Sequence, residues 1–363
     1  MGDLYPLLIT PRYVERLWGG HNLAHALGKA APADKAIGES WEVYEENTVA
    51  NGPLAGRTIG GLRAELGRDL TGHVSPDALF PLLTKLIDAQ EALSVQVHPD
   101  DAFARATEGQ PYGKTECWYV IDAAPGAELT YGFSRDSSPD EYARLVGEGK
   151  LDEILRSMPV QAGDVVYLPA GAVHAIGAGI VLYEVQQTSD ITYRIYDWNR
   201  TDAAGKPREL HVDKARQVLD YHRYTKGAVQ TLEVPGSGRA MLIAGQYFCL
   251  ELIEAGVAGE LSTHGSAVAV CALDQPLTAR TVPGTAPVDL APYSSLLIPA
   301  AAGGYTLQPG AQGGRPARAV VAYVPASADA VRADLALRGI TSDRISSFMA
   351  QFAPATDLGQ AAR

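Results

Sequence analysis

"GDVVYLPAGAVHAIGAG", residues 163–179, is the stretch whose reading decides the fold. The apolar run from Val165 to Leu168 ends in Pro169; Gly171 follows, and then His174. Proline presets its own φ and glycine takes positive φ without steric cost, so these offsets describe a tight corner between two strands. The corner places His174 at the start of the second strand. A histidine there has a structural account, a hydrogen bond to a nearby carbonyl, and a functional one, as a ligand or proton carrier.

The same punctuation extends outward in both directions. Short β-prone runs bounded by Gly and Pro recur in "TECWYVIDA", "AELTYGF", "IVLYEVQQ", "FCLELIEA" and "SSLLIPA". Many short strands of this kind make a sandwich or barrel. Helical spacing is confined to "TIGGLRAELG", "SPDEYARLVGEGKLDEILRSM" (138–158), "DKARQVLDYH" and "SADAVRADLALRGITSDRISSFMAQF" (327–352). The second of these starts with Ser138 as a cap and a proline in the first turn. "PAAAGGYTLQPGAQGGRP" (299–316) is Gly-rich but lacks the spacing of a nucleotide cradle, and reads as a loop. The last ten residues read as a loose tail.

With 30 basic against 42 acidic residues the 363-residue chain carries a net charge of −12. Phosphate backbones are held by basic surfaces, so a nucleic-acid partner is not expected; a small anion needs only a local basic cluster. Three scattered cysteines are too few for a disulfide framework or a cysteine-based zinc ribbon. There is no basic leader before an apolar core and no 18-residue apolar run, so a cytoplasmic protein without a membrane partner is expected.

Two further stretches bear on His174. In "LSVQVHPDD" (93–101), residues two apart share a strand face, so Ser94, Gln96 and His98 form a polar stripe opposite Leu93, Val95 and Val97. A solvated face explains the stripe as well as a metal site does. In "YGKTECWYV" (112–120), Lys114 and Glu116 share a face by the same rule, and Glu116 leads into an apolar run. A carboxylate buried there needs a partner, either a salt bridge or a divalent metal. Two imidazoles, a carboxylate and an amide oxygen make a plausible shell for a catalytic metal.

At this point the chain resembles a known family. The spacing from Gly163 to His174 matches the second signature of cupins. "LSVQVHPDD", "GKTECWYV", "SDITYRIYDWNR" (189–200) and "GESWEV" (38–43) together resemble the type I phosphomannose isomerases, most closely the short bacterial form, over roughly residues 10 to 215. The resemblance implies a mainly β cupin jelly roll (double-stranded β-helix) that interconverts mannose 6-phosphate and fructose 6-phosphate with one Zn²⁺ per chain. It implies His98, Glu116 and His174 as metal ligands, with Gln96 as a weaker fourth. Arg194 matches the catalytic arginine, and Glu184 a proton-transfer carboxylate, although its distance from His174 is one residue longer than in some members. Ser94, Lys85 and Lys114 match residues lining the substrate and phosphate site, and Arg200 falls where longer members place a lysine.

The residue types suit that chemistry. Isomerisation through an enediol develops charge on a carbonyl oxygen, which a metal and an arginine stabilise. The rival readings are a cupin acting on another phosphosugar, an iron-dependent oxygenase, or a non-catalytic sugar-binding module. An oxygenase would not need Lys85, Lys114 and Arg194. The expected organisation is a catalytic unit over 1–224 with a helical insertion near 138–158, a second jelly-roll-like β-unit over 225–326, and a helical segment with tail over 327–363. The expected partner is a small-molecule sugar phosphate, with the chain a monomer or homodimer.

Overall fold

The computed structural model describes residues 4–201, 205–310 and 316–353. Two antiparallel sheets face each other in the N-terminal unit. One has six strands in the order Arg12–Gly20, Ile37–Val43, Leu82–Ala89, Ile180–Gln187, Glu116–Ala123 and Val165–Leu168. The other has five, in the order Tyr193–Tyr196, Val95–Val97, His174–Ile176, Glu128–Phe133 and Leu155–Pro159. This is the jelly roll that the strand pattern and the resemblance imply.

Alternation along the strands sorts side chains between layers. On the six-stranded sheet Ile87, Trp118, Val120 and Leu182 face the barrel interior together with Trp18. Leu86, Cys117, Tyr119, Tyr183 and Val185 face the other way, into the core shared with the C-terminal β-unit. Cys117 therefore belongs to the core, as its place beside Glu116 predicts. On the five-stranded sheet Val95, Val97, Phe133 and Tyr193 point outward under a cover of helix residues including Tyr142, Leu145 and Ala215. Burial of each such side chain contributes roughly 1.5–3 kcal/mol. Leu93, ahead of the strand Val95–Val97, packs with the interior cluster rather than on the outer face with Val95.

The second unit pairs a seven-stranded sheet with a four-stranded one. Leu7–Leu8 joins this larger sheet beside Ser295–Ile298, so the start of the chain is stitched into the second unit. The helices Ala328–Leu337 and Ser342–Ala350 follow, as their spacing predicts.

Two expectations change. The helix that starts at Ser138 covers only Pro139–Glu148, because Gly149 takes a left-handed C-cap at φ 70°. After a short turn Leu155–Pro159 becomes an edge strand on Glu128–Phe133, so the insertion is helical only in its first half. The Gly-rich stretch expected as a loop contains the strand Gly304–Pro309, in which Tyr305 and Leu307 alternate inward and pair with Leu277–Val282. The tail from residue 354 lies outside the described residues. Among the described residues no helix is long and apolar enough to cross a membrane.

Candidate metal centre and substrate cavity

Glu116 and His174 open two strands and His98 directly follows a third, Val95–Val97; the candidate ligand atoms of this buried set all lie within 4.8 Å of one another. Gln96 stands opposite His174 on one side and Arg194 on the other in the five-stranded ladder. Glu116 comes from the facing sheet, in register with Gln186.

Backbone carbonyls fix both imidazoles. His98 Nδ1 bonds the Ile191 carbonyl at 2.8 Å, and His174 Nδ1 that of Ala172 at 2.9 Å. A carbonyl only accepts, so each Nδ1 carries the proton and each Nε2 is the lone-pair nitrogen turned to the site. His174 Nε2 lies 3.2 Å from Glu116 Oε1 and His98 Nε2 lies 3.7 Å from Oε2. Both Glu116 oxygens are buried and accept no well-formed hydrogen bond. A tetrahedral ion about 2.1 Å from each donor would space the donors about 3.4 Å apart. The residues therefore fit a divalent metal, with Gln96 beside them, its Nε2 atom 3.3 Å from His174 Nε2.

Electrostatics point the same way. Burial pushes the Glu116 carboxyl up, but Lys114, His98 and His174 together outweigh it and hold the group well below the usual carboxylate range. Burial, and then Lys114, push His98 well below the usual imidazole range, which favours the neutral, ligating form. Lys114 Nζ sits 2.8 Å from Glu116 Oε2 and 3.3 Å from His98 Nε2.

Beside this set opens a cavity of about 440 Å³. Lys85, Ser94, Gln96, Lys114, Glu184 and Arg194 line it; Arg200 does not. Lys85, on a central strand, is buried rather than solvated: its Nζ donates to Glu184 Oε1 at 2.9 Å and Gln186 Oε1 at 2.7 Å. Trp118 Nε1 donates to the other Glu184 oxygen at 2.9 Å. Arg194 donates Nη1 to the Glu209 carbonyl at 3.0 Å and forms no ion pair among the described residues. Trp18, also in the lining, serves both the core and the cavity wall.

Arg16, Glu39, Trp41 and Arg208, none of them among the residues the sequence motifs single out, also line the cavity. Glu39 and Trp41 lie within the quoted "GESWEV", where period-2 alternation was available as a signal. Arg208 has no local signal, since its place depends on how the chain returns after the strand Tyr193–Tyr196. The lining carries five cations, Arg16, Lys85, Lys114, Arg194 and Arg208, against three carboxylates, Glu39, Glu184 and Asp190. A locally cationic pocket in a chain of net charge −12 is a site for an anion.

Known proteins share this architecture. The model of the phosphomannose isomerase type I catalytic domain matches residues 7–123. A mannose-6-phosphate isomerase of Streptococcus mutans is 40% identical over 247 residues, 67% of this chain and 77% of that protein. One from Bacillus subtilis is 44% identical over 219 residues, 59% of this chain and 68% of that protein. The crystal structure of the mannose 6-phosphate isomerase from Bacillus subtilis aligns at a TM-score of 0.78 and 32% identity, covering 88% of this chain and 99% of that one. A zinc-bound mannose 6-phosphate isomerase shares the fold at a TM-score of 0.72 and 13% identity, over 89% of this chain and all of that one. At this identity and coverage, the chain belongs to the type I phosphomannose isomerases.

Proposed function

We propose that this chain interconverts mannose 6-phosphate and fructose 6-phosphate at one zinc ion held by His98, Glu116 and His174, with Gln96 as a weaker fourth ligand. One observation carries the reading: a buried two-histidine, one-carboxylate set adjoins a net-cationic cavity large enough for a sugar phosphate. All of these residues fall in the proposed catalytic unit, 1–224, ahead of the proposed second β-unit at 225–326 and the C-terminal segment from 327.

The reaction moves one proton between C2 and C1 by way of a cis-enediol. Zinc, when bound, supplies Lewis-acid stabilisation of the oxygen on which charge develops. Arg194 stays protonated throughout and directs a second positive charge at the reacting carbons. Glu184 and Lys114 carry the proton: Lys85 and Trp118 hold the Glu184 carboxylate in place, and Lys114 sits at the edge of the ligand set. Leu83, Ile87, Leu93 and Ile176 give the cavity apolar walls that limit water around the intermediate. Ser94 and the basic side chains bind the phosphate, contributing binding energy remote from the reacting carbons.

A coupled assay for fructose 6-phosphate formation tests the reading. Chelation should abolish turnover and Zn²⁺ should restore it, and His98→Ala or His174→Ala should each lose metal. Full activity in protein shown by elemental analysis to be metal-free would overturn the metal-centred mechanism.

A further inference from the structure

Arg200 is committed elsewhere. Its Nη1 donates to the Ala92 carbonyl at 2.8 Å and its Nη2 to Asp197 Oδ1 at 2.6 Å, outside the cavity lining. Arg16 and Arg208 do line the cavity. Arg16 comes from the strand Arg12–Gly20 of the six-stranded sheet. Arg208 follows the Thr201–Pro207 bridge, beyond the last strand of the five-stranded sheet. The two thus reach the cavity from the sides of opposite sheets.

Each of these arginines is pinned along one edge by a carboxylate. Arg16 donates Nε and Nη2 to the Glu39 oxygens at 3.1 and 3.0 Å. Arg208 donates Nε to Asp197 Oδ2 at 2.6 Å and Nη2 to Asp197 Oδ1. In both, Nη1 has no acceptor among the described residues. Arg194 Nε, buried in the same cavity lining, has none among the described residues either. Burial first, then Arg208, with Arg200 and Arg16 adding, lowers the proton affinity of Arg194, so these like charges are close enough to repel. Such a gathering of guanidinium groups is relieved when an anion joins it, and a phosphate accepts from several planar forks at once.

We propose that Arg16 and Arg208 form the phosphate clamp of this enzyme, closing on the substrate dianion from the two sheets while Arg194 stays with the reacting carbons. Arg200 is a positioning residue that acts through the Asp197 it shares with Arg208. This rests on the isomerase reading for its substrate and moves phosphate recognition away from Arg200.

The zinc-loaded full chain and its Arg16→Ala, Arg208→Ala, Arg208→Lys and Arg200→Ala variants can be compared by mannose 6-phosphate kinetics, by competitive inhibition with inorganic phosphate, and by phosphate calorimetry. Urea unfolding of each variant separates loss of fold from loss of phosphate binding; Glu39 keeps the Trp41 indole at 2.7 Å, and Asp197 keeps one of its two arginines in each variant. Arg16→Ala and Arg208→Ala should each raise KM and the phosphate inhibition constant about tenfold or more, with the loss falling on KM rather than kcat. Arg208→Lys should recover part of this, since lysine returns the charge without the fork, and Arg200→Ala should lose less than Arg208→Ala. If an active enzyme keeps its KM and phosphate affinity in both alanine variants, or if Arg200→Ala is the more damaging, the clamp is overturned and the isomerase reading stands. If phosphate binding depends on Arg16 and Arg208 in a protein that does not isomerise mannose 6-phosphate, the clamp stands and the isomerase reading falls.

Discussion

Replacing Lys85 by methionine separates what the Lys85–Glu184 pair does for stability from what it does for chemistry. The residues face each other in register on adjacent strands, their side chains 9% and 4% exposed. Each buried ion loses several kcal/mol of hydration, offset only while both charges and their hydrogen bonds are present. Methionine replaces the aliphatic stem but leaves Glu184 Oε1 and Gln186 Oε1 without the donor they share. The single variant should therefore lose about 3–5 kcal/mol of unfolding free energy. Changing both residues, Lys85→Met with Glu184→Leu, removes both desolvation costs and should return stability to within about 1–3 kcal/mol of the parent, the remainder being the orphaned Trp118 and Gln186 groups. Activity should not return under the proposed role of Glu184, because the cavity has then lost the carboxylate proposed to carry the proton. Burial pushes the Lys85 ammonium down, but Glu184 and Glu39 outweigh it, so its folded pKa lies above the ordinary 10.5. A raised lysine stabilises fully below its unfolded pKa and loses that contribution as pH rises through the folded one. The penalty of Lys85→Met should thus be flat between roughly pH 6 and 9 and shrink only above that unfolded value. Urea unfolding at fixed zinc concentration, beside the coupled isomerase assay, measures both quantities. A single-variant penalty below about 1 kcal/mol, or a double variant that regains isomerase activity with its stability, would refute this reasoning.

Arg194→Ala should lower kcat by about 10²–10³ while zinc content stays near that of the parent, as its proposed role of stabilising charge without ligating requires; equal loss of zinc by elemental analysis would mean that it holds the site together. Gly113→Ala should cost about 1–3 kcal/mol in urea unfolding and depress turnover as well, because a Cβ there would lie 2.3 Å from the Asp100 carbonyl carbon and 2.4 Å from the Pro99 oxygen. Relief of that clash must move Lys114, whose amide bonds the same Pro99 oxygen, relative to His98; an alanine variant with parental kinetics would show that this spacing is not critical.

Much of the site was legible because it obeys period 2. Gln96 and His98 share a face with Ser94, and Glu116 alternates with Cys117, so strand period tells which side chains share a face, while the resemblance supplies which faces meet. The lone turn pattern around Gly171 placed His174 as well: its ring is buried at the start of a strand with Nδ1 on the Ala172 carbonyl. What could not be read depended on how distant segments return to one another. Nothing local distinguishes Arg200 from Arg208 as the residue beside the cavity; both bond Asp197, and only the course of the chain between them decides which one lines it. The overlong helix after Ser138 has a different cause. Its apolar spacing continues past Gly149, but Glu128–Phe133 offers an unpaired edge, and pairing with it outcompetes helical propensity in Leu155–Pro159.

Among the described residues the second β-unit contributes none to the cavity lining, yet it bears on the site through the six-stranded sheet. A sheet with one solvated face can tolerate twist and slippage. This one is covered on both faces, by the barrel interior through Trp118 and Leu182 and by the shared core through Cys117, Tyr119, Tyr183 and Val185. A slip of one residue in Glu116–Ala123 would turn Glu116 and Trp118 into the shared core and Cys117 and Tyr119 toward the metal set. Both arrangements bury comparable apolar surface on one side, but the slipped one buries the Glu116 carboxylate away from Lys114, His98 and His174. An unpaired buried charge of that kind costs several kcal/mol. The two-sided core therefore sets the spacing of His98, Glu116 and His174, and these residues in turn penalise the alternative register.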